Sequence, residues 1–217
     1  MRFNVLGVSL ALVASFCMAK ANAEDLSVAV VDGSKNAVVG AIVSLMPVSD
    51  TIVLPKTEKT ASIKQQNVMF SPFILPVQTG TLVTFPNMDK IRHHVYSFSS
   101  AKTFELKLYG QDETQQVLFD KKGVAALGCN IHDNMLAYIY VTDDPLFRVA
   151  DQSGKASFSD LPVGDYEIHI WHPDQQKSME GYAHAISLPE GGAKALELVF
   201  EMKSRRHTQQ QPVENEY

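Results

Sequence analysis

Past residue 23 no stretch of this chain sustains a helical apolar repeat; its apolar residues come in short β-rich runs, each closed by a turn signal. Leu26 to Val31 ends at Asp32-Gly33-Ser34, and Val38 to Met46 ends at Pro47. Thr81 to Phe85, Val95 to Phe98, Val117 to Phe119, Gly123 to Leu127 and Leu136 to Val141 follow the same plan. Phe104 to Tyr109 sets Phe104, Leu106 and Leu108 against Glu105 and Lys107, the alternation of a half-buried strand. Pro72 and Pro76 confine any strand in Val68 to Val77 to a sheet edge. Residues 49–66 are polar and mixed and read as a linker or an irregular edge. Later runs include Lys155 to Phe158, Tyr166 to Trp171, Ala185 to Leu188 and Ala195 to Met202. Many short strands joined by turns predict an all-β sandwich architecture.

The first 23 residues have a different character. Arg2, the apolar run Val5 to Met18 and the small residues Ala21 and Ala23 around Asn22 form the pattern of a cleaved export signal. The run is short for a membrane span, and no later segment is apolar enough for one. Cleavage before Glu24 leaves 17 basic against 24 acidic side chains, a net charge of −7. That balance argues against a nucleic-acid groove and favours partners with basic patches. The predicted location is the periplasm.

An exported chain commonly uses cysteines in disulfides. Here the mature chain keeps one, Cys129, in Gly128-Cys129-Asn130-Ile131-His132-Asp133-Asn134-Met135. A lone thiol in an oxidising compartment oxidises unless it is buried or metal-bound. His132 and Met135 at Cys-x2-His-x2-Met spacing favour the metal. Thiolate, imidazole and thioether donors suit copper, and a His2Cys plane with a weak axial Met holds a type 1 centre. The pair His93-His94 lies upstream as the source of the second imidazole. Strand alternation admits either histidine.

The stretch from about Val68 to Val141 resembles the cupredoxin family, amicyanin and plastocyanin in particular. The likeness rests on Gly80-Thr81-Leu82-Val83-Thr84-Phe85, then Asn87 six residues before His93, Gly123 six residues before Cys129, and the Cys-x2-His-x2-Met loop. It implies a Greek-key sandwich with one copper ion held by His93, Cys129, His132 and Met135, the last three on one loop. Phe85-Pro86-Asn87-Met88-Asp89 and the segments around His93-His94 and Cys129 also resemble exported methylamine-utilisation proteins, which implies a periplasmic redox role. Two positions depart from the family pattern. His94 stands where an Asn is usual after the first ligand, and Gly128 where an aromatic residue usually precedes the Cys.

Val30 to Leu45 and Asp151 to Tyr166 resemble the two halves of a carboxypeptidase regulatory-like domain, a small Ig-like sandwich. The resulting plan is a signal at 1–23, a split sandwich at 24–48 and 145–202, a copper domain at 60–143 and a disordered polar tail at 203–217; one enlarged sandwich is the alternative. His169 and Trp171 share one strand face, and His169, His172 and His184 read as solvated surface histidines. The function this predicts is single-electron transfer, not enzymatic turnover, with a cytochrome or periplasmic oxidoreductase as partner and His132 as the electron port. The alternatives are a copper carrier or sensor without redox cycling, a metal-free interaction module, and a Cys129/His132 nucleophilic enzyme. The last would leave Met135 without a purpose.

Overall fold

The computed structural model describes residues 23–54, 58–176, 182–191 and 193–203. The expected signal (1–23) and tail (203–217) lie outside these residues, apart from Ala23 and Lys203. The described chain is all-β and contains no α-helix. Strands β1 (Ala23–Val31) and β2 (Ile42–Pro47) open it. The middle supplies β3 (Thr60–Ser62), β4 (Lys64–Gln65), β5 (Phe70–Ser71), β6 (Ile74–Gln78), β7 (Thr81–Pro86) and β8 (His93–Ser99). It continues with β9 (Lys102–Tyr109), β10 (Thr114–Phe119), β11 (Gly123–Cys129) and β12 (Leu136–Thr142). The chain closes with β13 (Leu146–Val149), β14 (Lys155–Pro162), β15 (Gly164–Trp171), β16 (Ala183–Leu188) and β17 (Lys194–Val199).

These strands enclose two cores. The first lies between the sheets β14-β1-β17 and β13-β2-β15-β16. Leu26, Val28 and Val30 of β1 face Val43 and Leu45 of β2 and Tyr166, Ile168 and Ile170 of β15, all buried. The second lies between β10-β7-β3 and β6-β12-β11-β8-β9. Every other residue points inward there: Val83 and Phe85 on β7, His93 and Val95 on β8, Ala125, Leu127 and Cys129 on β11, Ala137 and Ile139 on β12. A fully buried Val, Leu or Phe contributes about 1.5–3 kcal/mol each, so both halves carry a substantial core.

The outer faces of the two larger sheets meet. Trp171 stacks on Tyr140 with ring centroids 5.3 Å apart and 23° between planes, and Tyr138 meets it edge-on at 6.0 Å. Ile42 and Ile74 complete this third, smaller cluster. Where the chain crosses back between the halves, buried Asp144 accepts hydrogen bonds from Ser44 Oγ and, at 2.8 Å, from His169 Nδ1.

Several expectations need correcting. Of the two readings of residues 49–66, the irregular edge holds for their second half: β3 adds in parallel to β7 at the sheet edge, and β4 pairs with β5. His169 and His172 are not plain surface groups, since His169 is tied to Asp144 and His172 is buried. Alternation had identified the His169/Trp171 face, but not that a second sheet covers it. Leu108 faces outward and Tyr109 inward, because three β8 residues (His93 to Val95) oppose four β9 residues (Leu106 to Tyr109), a bulge.

Candidate metal centre

Antiparallel pairing fixes the centre's first two donors. Cys129 is the last residue of β11 and pairs with Val95 of β8, two residues from His93. The strand, not the following loop, therefore holds Cys129, which corrects the expectation that all three loop donors lie beyond it. Both side chains point into the second core: His93 is fully buried, and Cys129 is 3 % exposed. The turn from Asn130 brings His132 back over them, and the Met135 N–H donates to the His132 carbonyl at 3.0 Å to close it. Met135, 2 % exposed, packs in the same core as Cys129.

The result is a cluster of three donors. His93 Nδ1 lies 3.9 Å and His132 Nδ1 3.6 Å from Cys129 Sγ, and the ligand atoms of all three lie within 4.8 Å of one another. Bonds of about 2.3 Å to sulfur and 2.0 Å to nitrogen let a sulfur–nitrogen pair on one metal span at most about 4.3 Å. Both observed separations fit within that limit. The donor set also fits: a buried thiolate and a buried imidazole, a second imidazole that is partly exposed and a thioether from the same core are the mixture copper favours.

His94 goes the other way. Its Nε2 lies 3.0 Å from Glu105 Oε1 on the outer face, and its ring meets Tyr96. Between the two adjacent histidines, the inward face belongs to His93. Gly128 is likewise explained by its neighbour. The Tyr96 ring lies against it, so that a Cβ at 128 would stand 2.7 Å from Tyr96 Cζ and Oη. The aromatic group beside the cysteine comes from the adjacent strand. Gly123 begins β11 at φ +135°, which favours glycine, and a Cβ there would press on Ala101 at 3.1 Å.

A polar frame surrounds His93. Asn87, buried, donates through Nδ2 to the carbonyls of Ile91 (2.8 Å) and Tyr109 (3.0 Å), and its Oδ1 accepts from Asp89 N–H (2.8 Å). The loop carrying His93 is thereby folded around one side chain. Tyr109, brought inward by the bulge, places its hydroxyl 2.8 Å from both Gln65 Oε1 and the Phe85 carbonyl. Asp89 Oδ2 meets His93 Nε2 at 2.9 Å. Sequence reasoning singled out Asn87 but passed over Asp89, although its place four residues before His93 was a readable signal.

The electrostatics follow from these contacts. Burial alone pushes the Cys129 thiol up, but the His93 imidazole and the backbone groups of His94 and Ile131 outweigh it and hold the thiol below its ordinary value. Burial works against protonating His93, yet Cys129 and Asp89 raise it. Burial and the neighbouring His93 hold His132 down. The lowered thiol of Cys129 and the lowered imidazole of His132 favour the proton loss that metal binding requires, and the raised His93 opposes it.

No family model and no curated protein matches this chain. Among solved structures, a purple cupredoxin from Nitrosopumilus maritimus is 23% identical, over 38% of this chain and 99% of its own, at a TM-score of 0.35. The reduced Cu(I) form of an amicyanin variant is 14% identical, over 46% of this chain and 99% of its own, at 0.36. A Cu-containing nitrite reductase from Thermus scotoductus is 24% identical over 46% of this chain, at 0.38; the chain spans only 26% of that reductase.

Proposed function

We propose that this chain is an exported copper protein that carries single electrons, in which His93, Cys129 and His132 would hold one type 1 ion and Met135 would be a further, weak donor. The observation that carries this reading is the convergence of two imidazole nitrogens, 3.9 and 3.6 Å away, on one buried cysteine sulfur. When bound, copper supplies a one-electron couple.

The protein's part is to keep the donors still, with His93, Cys129 and Met135 buried. Cys129 is fixed by its pairing with Val95, and His93 by full burial and its contact with Asp89. A cage that barely moves between oxidation states keeps the cost of each transfer low. His132 is partly exposed, and the two loops that bear the donors also expose Met88, Ile91 and Ile131. In this reading the edge of His132 is the port, and the partner is a periplasmic cytochrome or oxidoreductase with a basic patch to match the acidic mature chain. Residues 60–143 would form the copper unit and 24–48 with 145–202 a split sandwich. Pairing of β1 with both β14 and β17 supports that division.

The partial exposure of His132 also favours one competing reading, a copper carrier or sensor without redox cycling. Repeated ascorbate reduction and ferricyanide oxidation in the presence of a copper(I) chelator separates the two. An electron carrier keeps its copper through every cycle. Loss of copper(I) to the chelator would favour the carrier, and failure to take up copper would refute both.

A further inference from the structure

Asp89 is held more firmly than a surface loop carboxylate needs to be. Its Oδ1 accepts from Asn67 N–H at 2.7 Å, and its Oδ2 from Val68 N–H at 3.0 Å. The same Oδ2 meets His93 Nε2 at 2.9 Å, and the Asp89 N–H is bound to Asn87 Oδ1. Both oxygens and the backbone are thus fixed, with the imidazole as the remaining partner.

The two donating amides come from an unusual place. Asn67 and Val68 are the central residues of the tight turn between β4 and β5, closed by Gln66 N–H to Met69 O at 2.9 Å and Met69 N–H to Gln66 O at 3.2 Å. Both have φ +56°, so the pair occupies the left-handed region, as a type I′ hairpin turn requires. Asn-Gly is the usual pair there. A β-branched residue in this region is a true outlier that costs about 1–3 kcal/mol. Val68 tolerates it with its side chain buried in the same core as Cys129 and Met135. The buried isopropyl group pins the turn, and the turn aims two N–H groups at Asp89.

A neutral imidazole carries its proton on one nitrogen, and an ionised carboxylate only accepts. A fixed Asp89 therefore places the His93 proton on Nε2 and leaves the Nδ1 lone pair facing Cys129.

We propose that Asp89 is a positioning residue for the copper site: held by the strained Asn67–Val68 turn, it sets the tautomer and orientation of His93 and strengthens that imidazole as a donor to the cupric state. This rests on the copper reading above. Partners of this kind raise ligand basicity, and their loss weakens metal binding by about 10–100-fold.

The test uses the mature protein and its Asp89→Asn, Asp89→Glu and Val68→Gly variants, each with its fold checked by circular dichroism. Competition titrations give the affinities for Cu(II) and Cu(I), and nitrogen-15 NMR of the Cu(I) form reads the His93 tautomer. Asp89→Asn is expected to lower the ratio of Cu(II) to Cu(I) affinity about tenfold, a rise of about 59 mV for a one-electron couple. Asp89→Glu, which keeps the charge, should recover most of the ratio. Val68→Gly keeps both amides but loses the buried anchor, and should shift the ratio in the same direction by less. A wild-type protein that binds copper with the His93 proton on Nδ1, or a ratio within twofold of wild type in Asp89→Asn, would overturn the proposal. A wild-type protein that takes up no copper would instead refute the copper reading, and this inference with it.

Discussion

Tyr96 lies across Gly128, close enough that a single added carbon at 128 would stand 2.7 Å from its ring. The two residues are paired across β8 and β11, one position from Cys129. Gly128→Ala must displace the ring, and overpacking of this kind costs about 1–3 kcal/mol. The cost should largely vanish when Tyr96→Ala is present as well, because the clash then has no partner. Urea midpoints for the two single variants and the double variant check this; additive effects would contradict it.

The bond between His169 and Asp144 predicts a pH dependence of stability. Asp144 raises His169 above its ordinary value, against a smaller opposing effect of burial. Its share of stability is then complete below the unfolded value of about 6.5 and lost as pH climbs through the folded one. Burial would raise Asp144, but His169 and Ser44 outweigh it and hold it low. That share is present above the unfolded value of about 3.9 and lost as pH falls through the folded one. His169→Gln should therefore flatten the fall in stability as pH rises above about 6.5, measured by urea unfolding at each pH. An equal slope in both proteins would contradict the assignment.

His93 and His94 should separate cleanly. His93→Ala removes a donor from the enclosed cluster and should weaken Cu(II) binding by at least about a hundredfold, beyond the effect of losing a supporting residue. His94→Ala removes a contact to Glu105 on the face turned away from Cys129 and should leave affinity within about threefold. Competition titrations distinguish them. Comparable losses in both would contradict the assignment of His93.

The stack of Tyr140 on Trp171 can be read by fluorescence, because Trp171 is the chain's single tryptophan. Tyr140→Ala should shift its emission to the red and lower stability by about 3 kcal/mol, the scale of large aromatic truncations. Unchanged emission would show that the junction does not depend on the stack.

Much of this was legible in the sequence. The strand runs around Val28, Val83, Leu127 and Ile139 lie where alternation and turn residues put them, because each buries one face and a period of two is hard to disguise. The triad His93, Cys129 and His132 was readable from spacing together with a family resemblance. What could not be read depended on neighbours distant in sequence. The short pairing of Lys64–Gln65 with Phe70–Ser71 has little apolar pattern to announce it. The inward turn of Tyr109 follows from a bulge that shifts register by one residue. His169 read as surface because one strand reveals two faces but not what covers the second. Asp89 sat in a noted motif, yet its partners Asn67 and Val68 lie 22 and 21 residues away.

The central claim is that Cys129 and the two histidines close around one copper ion. Visible absorption on adding one equivalent of Cu(II) to the mature protein, with Cys129→Ser alongside, tests it most directly. An intense sulfur-to-copper charge-transfer band in the wild type that is absent from Cys129→Ser is the predicted result. A colourless wild-type protein, or a band that survives in Cys129→Ser, would contradict it.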